Sequence, residues 1–368
     1  MAVLCLMLTF RLHLLKHQHQ QLQLTARQQQ QRRRVAVPLP PGFRYNKVVT
    51  IVAFDRFHYF RHVINQLLEA WGSEDYVVAI WIDGAPKKEA SFSREGWEQI
   101  VAYSQQLQWL SRDAGVGFRD VLVDVAPTNL GVWANKKRGV AGAMQLTDFA
   151  VVLEDDIVLS RDALRWFEWH VTSGLIFERP DIAIATCWST SFPHSPGAVE
   201  AHDLLLARQL GLLDKYWVDA WAQPWGWALW RRTWDELGLN SSWNGQDFQL
   251  GQALKARGRF ETMPLVARCN NIGSVGQNKK GELTGHVHQR AITSEQLPAT
   301  DLDQCWYSEL ERANHTAPID LEPLYKQLVP AGLRLDTKHL NSSLTDRFLA
   351  TDAFMAAHPV SSNWLSTC

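Results

Sequence analysis

From Lys47 onward the chain alternates between two textures. Short, largely apolar runs occur at "KVVTIVAF" (47–54), "YVVAIWIDG" (76–84), "FRDVLVDVA" (118–126) and "FAVVLEDD" (149–156). Between them, "HYFRHVINQLLEAW" (58–71), "WEQIVAYSQQLQWL" (97–110) and "VWANKKRGVAGAMQL" (132–146) carry apolar residues at helical spacing. A strand without a polar face is covered on both sides, and parallel neighbours need a crossover long enough to hold a helix. The pattern therefore predicts an open, mostly parallel α/β sheet of the Rossmann-like kind, flanked by helices. No GxGxxG follows the first run, so the dinucleotide fingerprint is absent. "DIAIATCW" (181–188) predicts a further strand, and a Trp-rich loop and helix follow it. Beyond residue 290 the chain turns polar and carries no chemistry-bearing motif.

The fourth apolar run ends in Glu154, Asp155 and Asp156. Three adjacent carboxylates repel one another, so they need solvent, a helix N-terminus or a cation. Strand alternation would send Glu154 and Asp156 to one face and Asp155 to the other. They stand where open α/β sheets bind ligands, at the carboxyl ends of the strands. Ser160 is expected to cap the helix "RDALRWFEW" that follows, which leaves the acids without a capping role. Hard carboxylate oxygens suit Mn2+ or Mg2+, which take one or two protein carboxylates together with phosphate oxygens.

Other chemistry gathers around this run. Arg56 and Asp83 follow the first two strands on the same edge, although a surface ion pair or an Asp-Gly turn would also account for them. Asp247, in "NSSWNGQDFQLGQALKARG" (240–258), falls at the start of a helix whose dipole favours its charge. It is the expected general base toward a hydroxyl, with Asp235 and Glu236 as the fallback. "QPWGWALW" crowds Trp225, Trp227 and Trp230 together, either as a platform for a sugar ring or as core. "GHVH" offers His286 and His288, one of which would complete a metal shell, and Lys279 and Lys280 would screen a diphosphate or stay solvated.

Composition narrows the class. A chain of 368 residues, 46% apolar and 20% charged, is globular and long enough for about two domains. Its net charge of −1 hides an asymmetry: residues 1–54 hold eight Lys or Arg and no acid, leaving 29 bases against 38 acids beyond. A body that acidic excludes nucleic acid as a partner. Of 17 tryptophans, seven fall between Trp217 and Trp243.

Residues 1–16 read as a signal peptide or short membrane anchor, with an organelle transit peptide as the alternative. Residues 17–46 read as a Gln/Arg-rich disordered stem. Sequons at Asn240, Asn314 and Asn341 favour the secretory pathway and a glycoprotein. Cys187, Cys269, Cys305 and Cys368 allow two disulfides in three pairings, or four buried thiols.

The triplet also carries a resemblance. "VVLEDDIVLSRDALRWFEW" resembles the acidic metal motif of GT-A-fold glycosyltransferases, in the form found in the N-acetylglucosaminyltransferase I and protein O-mannose N-acetylglucosaminyltransferase family. "VAFDR" (52–56) and "WIDG" (81–84) are similar to that family's first two strand motifs. "PTNLGVWANKKRGV", "QPWGWALWRRTW" and "CNNIGSVGQNKKGELTGH" are similar to segments of bacterial EDD-containing sugar transferases. The resemblance implies a GT-A catalytic domain over 47–290, with 291–368 as a C-terminal extension. It implies that Asp156, with His286, holds Mn2+ or Mg2+. It further implies that Glu154, Asp155 and Trp227 meet the nucleotide-sugar, and that Arg56 and Asp83 meet its nucleoside part.

The expected activity is transfer of a sugar, foremost GlcNAc from UDP-GlcNAc with inversion, to a glycan or glycoprotein acceptor in the Golgi lumen. Asp247 stands where the family carries "WDDW", yet Trp243 is separated from it and one acid is missing. A non-catalytic carbohydrate-binding protein of the same fold is one alternative. A nucleotidyltransferase is the other, although "AFDRFHYF" lacks the glycines such a loop uses.

Overall fold

The computed structural model describes residues 37–86, 92–188, 215–219, 222, 225–264, 267–271, 273 and 307–309. The four apolar runs form β1 (Val48–Ala53), β2 (Val77–Ile82), β3 (Asp120–Val125) and β4 (Phe149–Glu154). The periodic stretches form α1 (Phe57–Glu69), α2 (Arg94–Asp113) and α3 (Val132–Leu146). β1 pairs in parallel with β2 and β4, and β2 with β3.

After β5 (Ile157–Leu159) and α4 (Ala163–Thr172) comes β6 (Ile182–Thr186), the further strand the sequence predicts. The far half of the sheet holds β7 (Lys215–Asp219), β8 (Trp227–Trp230), β9 (Phe260–Pro264) and β11 (Ser308–Glu309). β8 enters antiparallel between β4 and β6, giving the order β11-β7-β9-β6-β8-β4-β1-β2-β3. Five of the eight pairings are parallel. The sheet is thus mixed but mostly parallel and flanked by helices, and its edge strand β11 comes from beyond residue 290. β10 (Cys269–Asn271) instead pairs antiparallel with β5.

Alternation of side chains along the strands divides the core in two. Val49, Ile51, Val78 and Ile80 pack with Phe60 and Ile64 of α1 and Ile100 of α2. Val48, Ala150 and Val152 face the other way, onto Val140 and Ala143 of α3 and Trp227 of β8. Gly142 lets α3 lie close on the sheet, because a Cβ there would collide with the Trp81 ring.

Ser160 does not cap α4. Its hydroxyl donates to Asp162 Oδ1 (2.5 Å), and the N-cap position belongs to Asp162, which is held by the buried Arg268 (2.6 Å). α4 itself is almost wholly buried, and its His170 is enclosed by Trp166 and Trp169. His170 Nδ1 lies 2.8 Å from the Trp166 carbonyl and donates to it, and Nε2 lies 2.7 Å from the Thr262 hydroxyl. Burial pushes the ring's pKa down to about 3, and in that neutral ring Nε2 accepts from the hydroxyl. The unfolded chain therefore binds a proton that the folded chain refuses between about pH 6.5 and 3. Stability should fall as pH drops through that window, by about 1.4 kcal/mol per pH unit from this residue. Denaturant titrations of His170→Gln across pH 4–6.5 should show a slope shallower by that amount; an unchanged slope would contradict the assignment.

Candidate active site at the end of the fourth strand

β4 stops at Glu154, and Asp155 and Asp156 form a turn into β5. The expected alternation of faces fails for this reason. Glu154 points to one cation and the two aspartates share another. Arg56, the residue before α1, pairs with Asp155 and with Asp156 Oδ2, the latter at 2.9 Å. The contact follows from topology, since β1 and β4 are parallel neighbours whose carboxyl ends lie side by side. Both aspartates are buried, while a quarter of the Arg56 side chain remains exposed. Burial pushes the Asp155 carboxyl up to about 7; Arg56 opposes this, and Asp156 and Glu154 add to it. The cluster is short of positive charge.

The second cation is Lys136, which the sequence reading passed over. Its side chain is 1% exposed, and Nζ lies 2.6 Å from Glu154 Oε1 and 2.8 Å from Asp247 Oδ1. The ammonium also sits 5.0 Å from the centre of the Trp133 ring. Burial alone would lower its pKa, but the two carboxylates hold it above the ordinary lysine value. The available signal was a lysine on the apolar stripe of a helix. Gly139, Val140 and Ala143 stand three, four and seven positions on, and all are buried.

Asp247 opens α6 (Asp247–Ala256), which follows the short α5 (Arg231–Glu236). Gly245, at φ 99°, brings this start against α3; a Cβ there would collide with the Trp133 carbonyl. Burial raises the Asp247 carboxyl above its ordinary value, Lys136 draws it down, and Glu154 raises it further. The fallback acids stand differently. Glu236 is exposed and tied to Arg259 at 2.6 Å, and Asp235 is exposed.

Two of the expected donor-site residues are buried. Asp83 is buried, with Oδ1 accepting from Gly84 N and Leu130 N and Oδ2 from Gly131 N and Asn129 Nδ2. With four donors already placed, it anchors the loop that launches α3, the helix that carries Lys136. Trp227 is 1% exposed and lies edge-on to Trp243 in the second core, so it offers no ring face to a sugar. Of its neighbours, Trp230 stacks on Phe149, and Trp225 is half-buried against Trp188. The Trp-rich stretch is mostly core because β8 runs through the middle of the sheet.

His286, His288, Lys279 and Lys280 lie outside the described residues, as do Cys305 and Cys368. Among the described residues, no three His, Cys, Asp or Glu side chains converge as a metal cage. The acids nonetheless fit a hard divalent ion, which takes few protein ligands when phosphate supplies the rest. Among the described residues, no helix is long and apolar enough to cross a membrane, and residues 1–36 lie outside them.

No family model matches the chain, and no curated protein sequence matches it. Among solved structures it is similar to the mannosyltransferase PcManGT from Pyrobaculum calidifontis in complex with GDP-Man and Mn2+. That likeness has 10% identity and a TM-score of 0.36, over 67% of this chain and 64% of that one. A second is S. aureus TarS 1-349 in complex with UDP-GlcNAc, with 11% identity and a TM-score of 0.37, over 61% of this chain and 57% of that one. This chain thus spans less than two thirds of either protein, and likenesses so slight carry no argument about function.

The Lys136 geometry predicts a specific non-additivity. Glu154→Gln or Asp247→Asn leaves the buried ammonium one partner, whereas the pair of changes leaves it none. A buried charge stripped of its partners costs about 3–5 kcal/mol. In denaturant unfolding, the double variant should exceed the sum of the singles by more than about 0.5 kcal/mol. Simple additivity would show that Lys136 does not bridge the two acids.

Proposed function

We propose that the chain is a metal-dependent glycosyltransferase, moving a sugar from a UDP-sugar to a glycan or protein-linked hydroxyl. GlcNAc is the leading sugar and inversion the leading stereochemistry, both on the resemblance of the EDD segment. One observation carries the reading. Arg56, Asp155 and Asp156, then Glu154, Lys136 and Asp247, form one charged array at the strand ends, running from an acidic turn to a carboxylate fit to take a proton.

In this reading Asp156 holds Mn2+ or Mg2+, with His286 as a second ligand, while Glu154 and Asp155 face the donor. The metal, when bound, offsets the charge of the leaving nucleoside diphosphate. Arg56, which holds both acids here, would be the group to release them to a metal and to meet the donor's phosphate or nucleoside oxygens. Asp247 accepts the proton of the acceptor hydroxyl, and its raised pKa makes it a better base than a solvated aspartate. Lys136 keeps that carboxylate ionised and aimed. Asn240, in one of the three sequons, is exposed, which supports a glycoprotein of the secretory lumen.

UDP-GlcNAc turnover, with water or a sugar as acceptor, should require Mn2+ and vanish in EDTA. Asp156→Asn should lose metal-dependent donor binding. Asp247→Asn should keep donor binding and lose turnover by about 10²-fold or more. Donor binding untouched by EDTA would mean that Arg56 alone satisfies the acids; normal turnover by Asp247→Asn would remove Asp247 as the base.

A further inference from the structure

Cys187 follows β6 and Cys269 opens β10, and both are buried thiols. Their backbones meet: Arg268 N donates to Cys187 O at 2.7 Å, and Cys187 N donates to Gly226 O at 2.7 Å. Both sulfurs converge on one carbonyl, with Cys187 Sγ 4.0 Å and Cys269 Sγ 3.3 Å from Trp225 O. Gly226, at φ 61°, makes room for the pair, since a Cβ there would collide with Cys187 Sγ and come within 3.1 Å of Cys269 Sγ. Two thiols beside one carbonyl and one glycine, on backbones joined by a hydrogen bond, are close enough in space for a disulfide to be tested.

We propose that Cys187 and Cys269 are a disulfide-forming pair, whose bond staples the end of β6 to β10 beneath the acidic turn. The position gives the bond a structural consequence. Asn271 of β10 pairs with Ile157, the residue after Asp156. Gly273 N donates to Asn271 Oδ1 at 2.9 Å, and a Cβ on Gly273 would collide with Asp156 Oδ2. The staple therefore fixes one end of the short strand whose other end packs against the acids.

The oxidant is a low-molecular-weight disulfide such as oxidised glutathione. One cysteine thiolate attacks it, forming a mixed disulfide and releasing one glutathione thiolate. The second cysteine, as its thiolate, then displaces the other glutathione. The protein gives up two electrons and two protons, and the oxidant becomes two thiols. Burial raises the Cys187 thiol well above its ordinary pKa, so the native dithiol reacts slowly. The bond closes during folding or local opening and is shielded once formed. This inference does not depend on the transferase reading.

The full chain should be unfolded and refolded in buffer containing oxidised and reduced glutathione, alkylated, and mapped by peptide mass spectrometry without reduction. The expected product links Cys187 to Cys269. Its thermal midpoint should exceed that of the reduced protein by at least about 4 °C, a difference abolished in the Cys187→Ala/Cys269→Ala variant. The proposal is overturned if both cysteines are recovered alkylated, if either is joined instead to Cys5, Cys305 or Cys368, or if the midpoints coincide. Peptide mapping reads the bond itself, so it decides the matter even if the alanine variant folds poorly.

Discussion

Like charges at the end of a buried strand set the terms for everything around them. Glu154, Asp155 and Asp156 leave the sheet consecutively, and desolvation together with repulsion from its two neighbours works against the ionisation of Asp155. The fold supplies cations from two directions. Arg56 comes from the end of β1, the strand beside β4, and Lys136 from the helix that crosses behind them. Neither cation is bound to a single partner. Each joins two acids, so the site is a charged array rather than a collection of surface ion pairs.

Much of the surrounding structure serves that array. Asp83 gathers the backbone of residues 130–131 and fixes where α3 begins, which sets the height of Lys136 above the sheet. Gly245 allows the start of α6 to touch Trp133, bringing Asp247 within reach of the same ammonium. Asp247 and Glu154 are far apart in sequence, yet they share one proton-rich nitrogen. Two carboxylates joined in this way respond to one another's charge, and in the proposed reading this would link donor binding to deprotonation of an acceptor.

Five of the nine strands, β1 to β4 and β6, were legible because their runs are largely apolar and bounded by turns or helical spacing. α3 spans the same residues, 132–146, that its periodicity marks out. The acids stood out because three adjacent carboxylates beside an apolar run need a counter-charge, which Arg56 and Lys136 supply. What escaped the reading depended on packing between distant segments. Lys136 drew no reading of its own, and only the packing of α3 brings it to Glu154 and Asp247. Trp227 looked like a sugar platform because nothing local shows that its strand is inserted between β4 and β6. The turn after Glu154 was hidden too, since Ile157–Leu159 reads as a continuation of the same strand.

The most direct measurement is an anomalous-scattering map from crystals grown with Mn2+ and UDP. A manganese peak against the Asp156 carboxylate, bridged to the diphosphate and with Arg56 displaced from at least one acid, is the predicted result. Nucleotide bound elsewhere, with Arg56 still holding both aspartates and no peak beside them, would contradict the account.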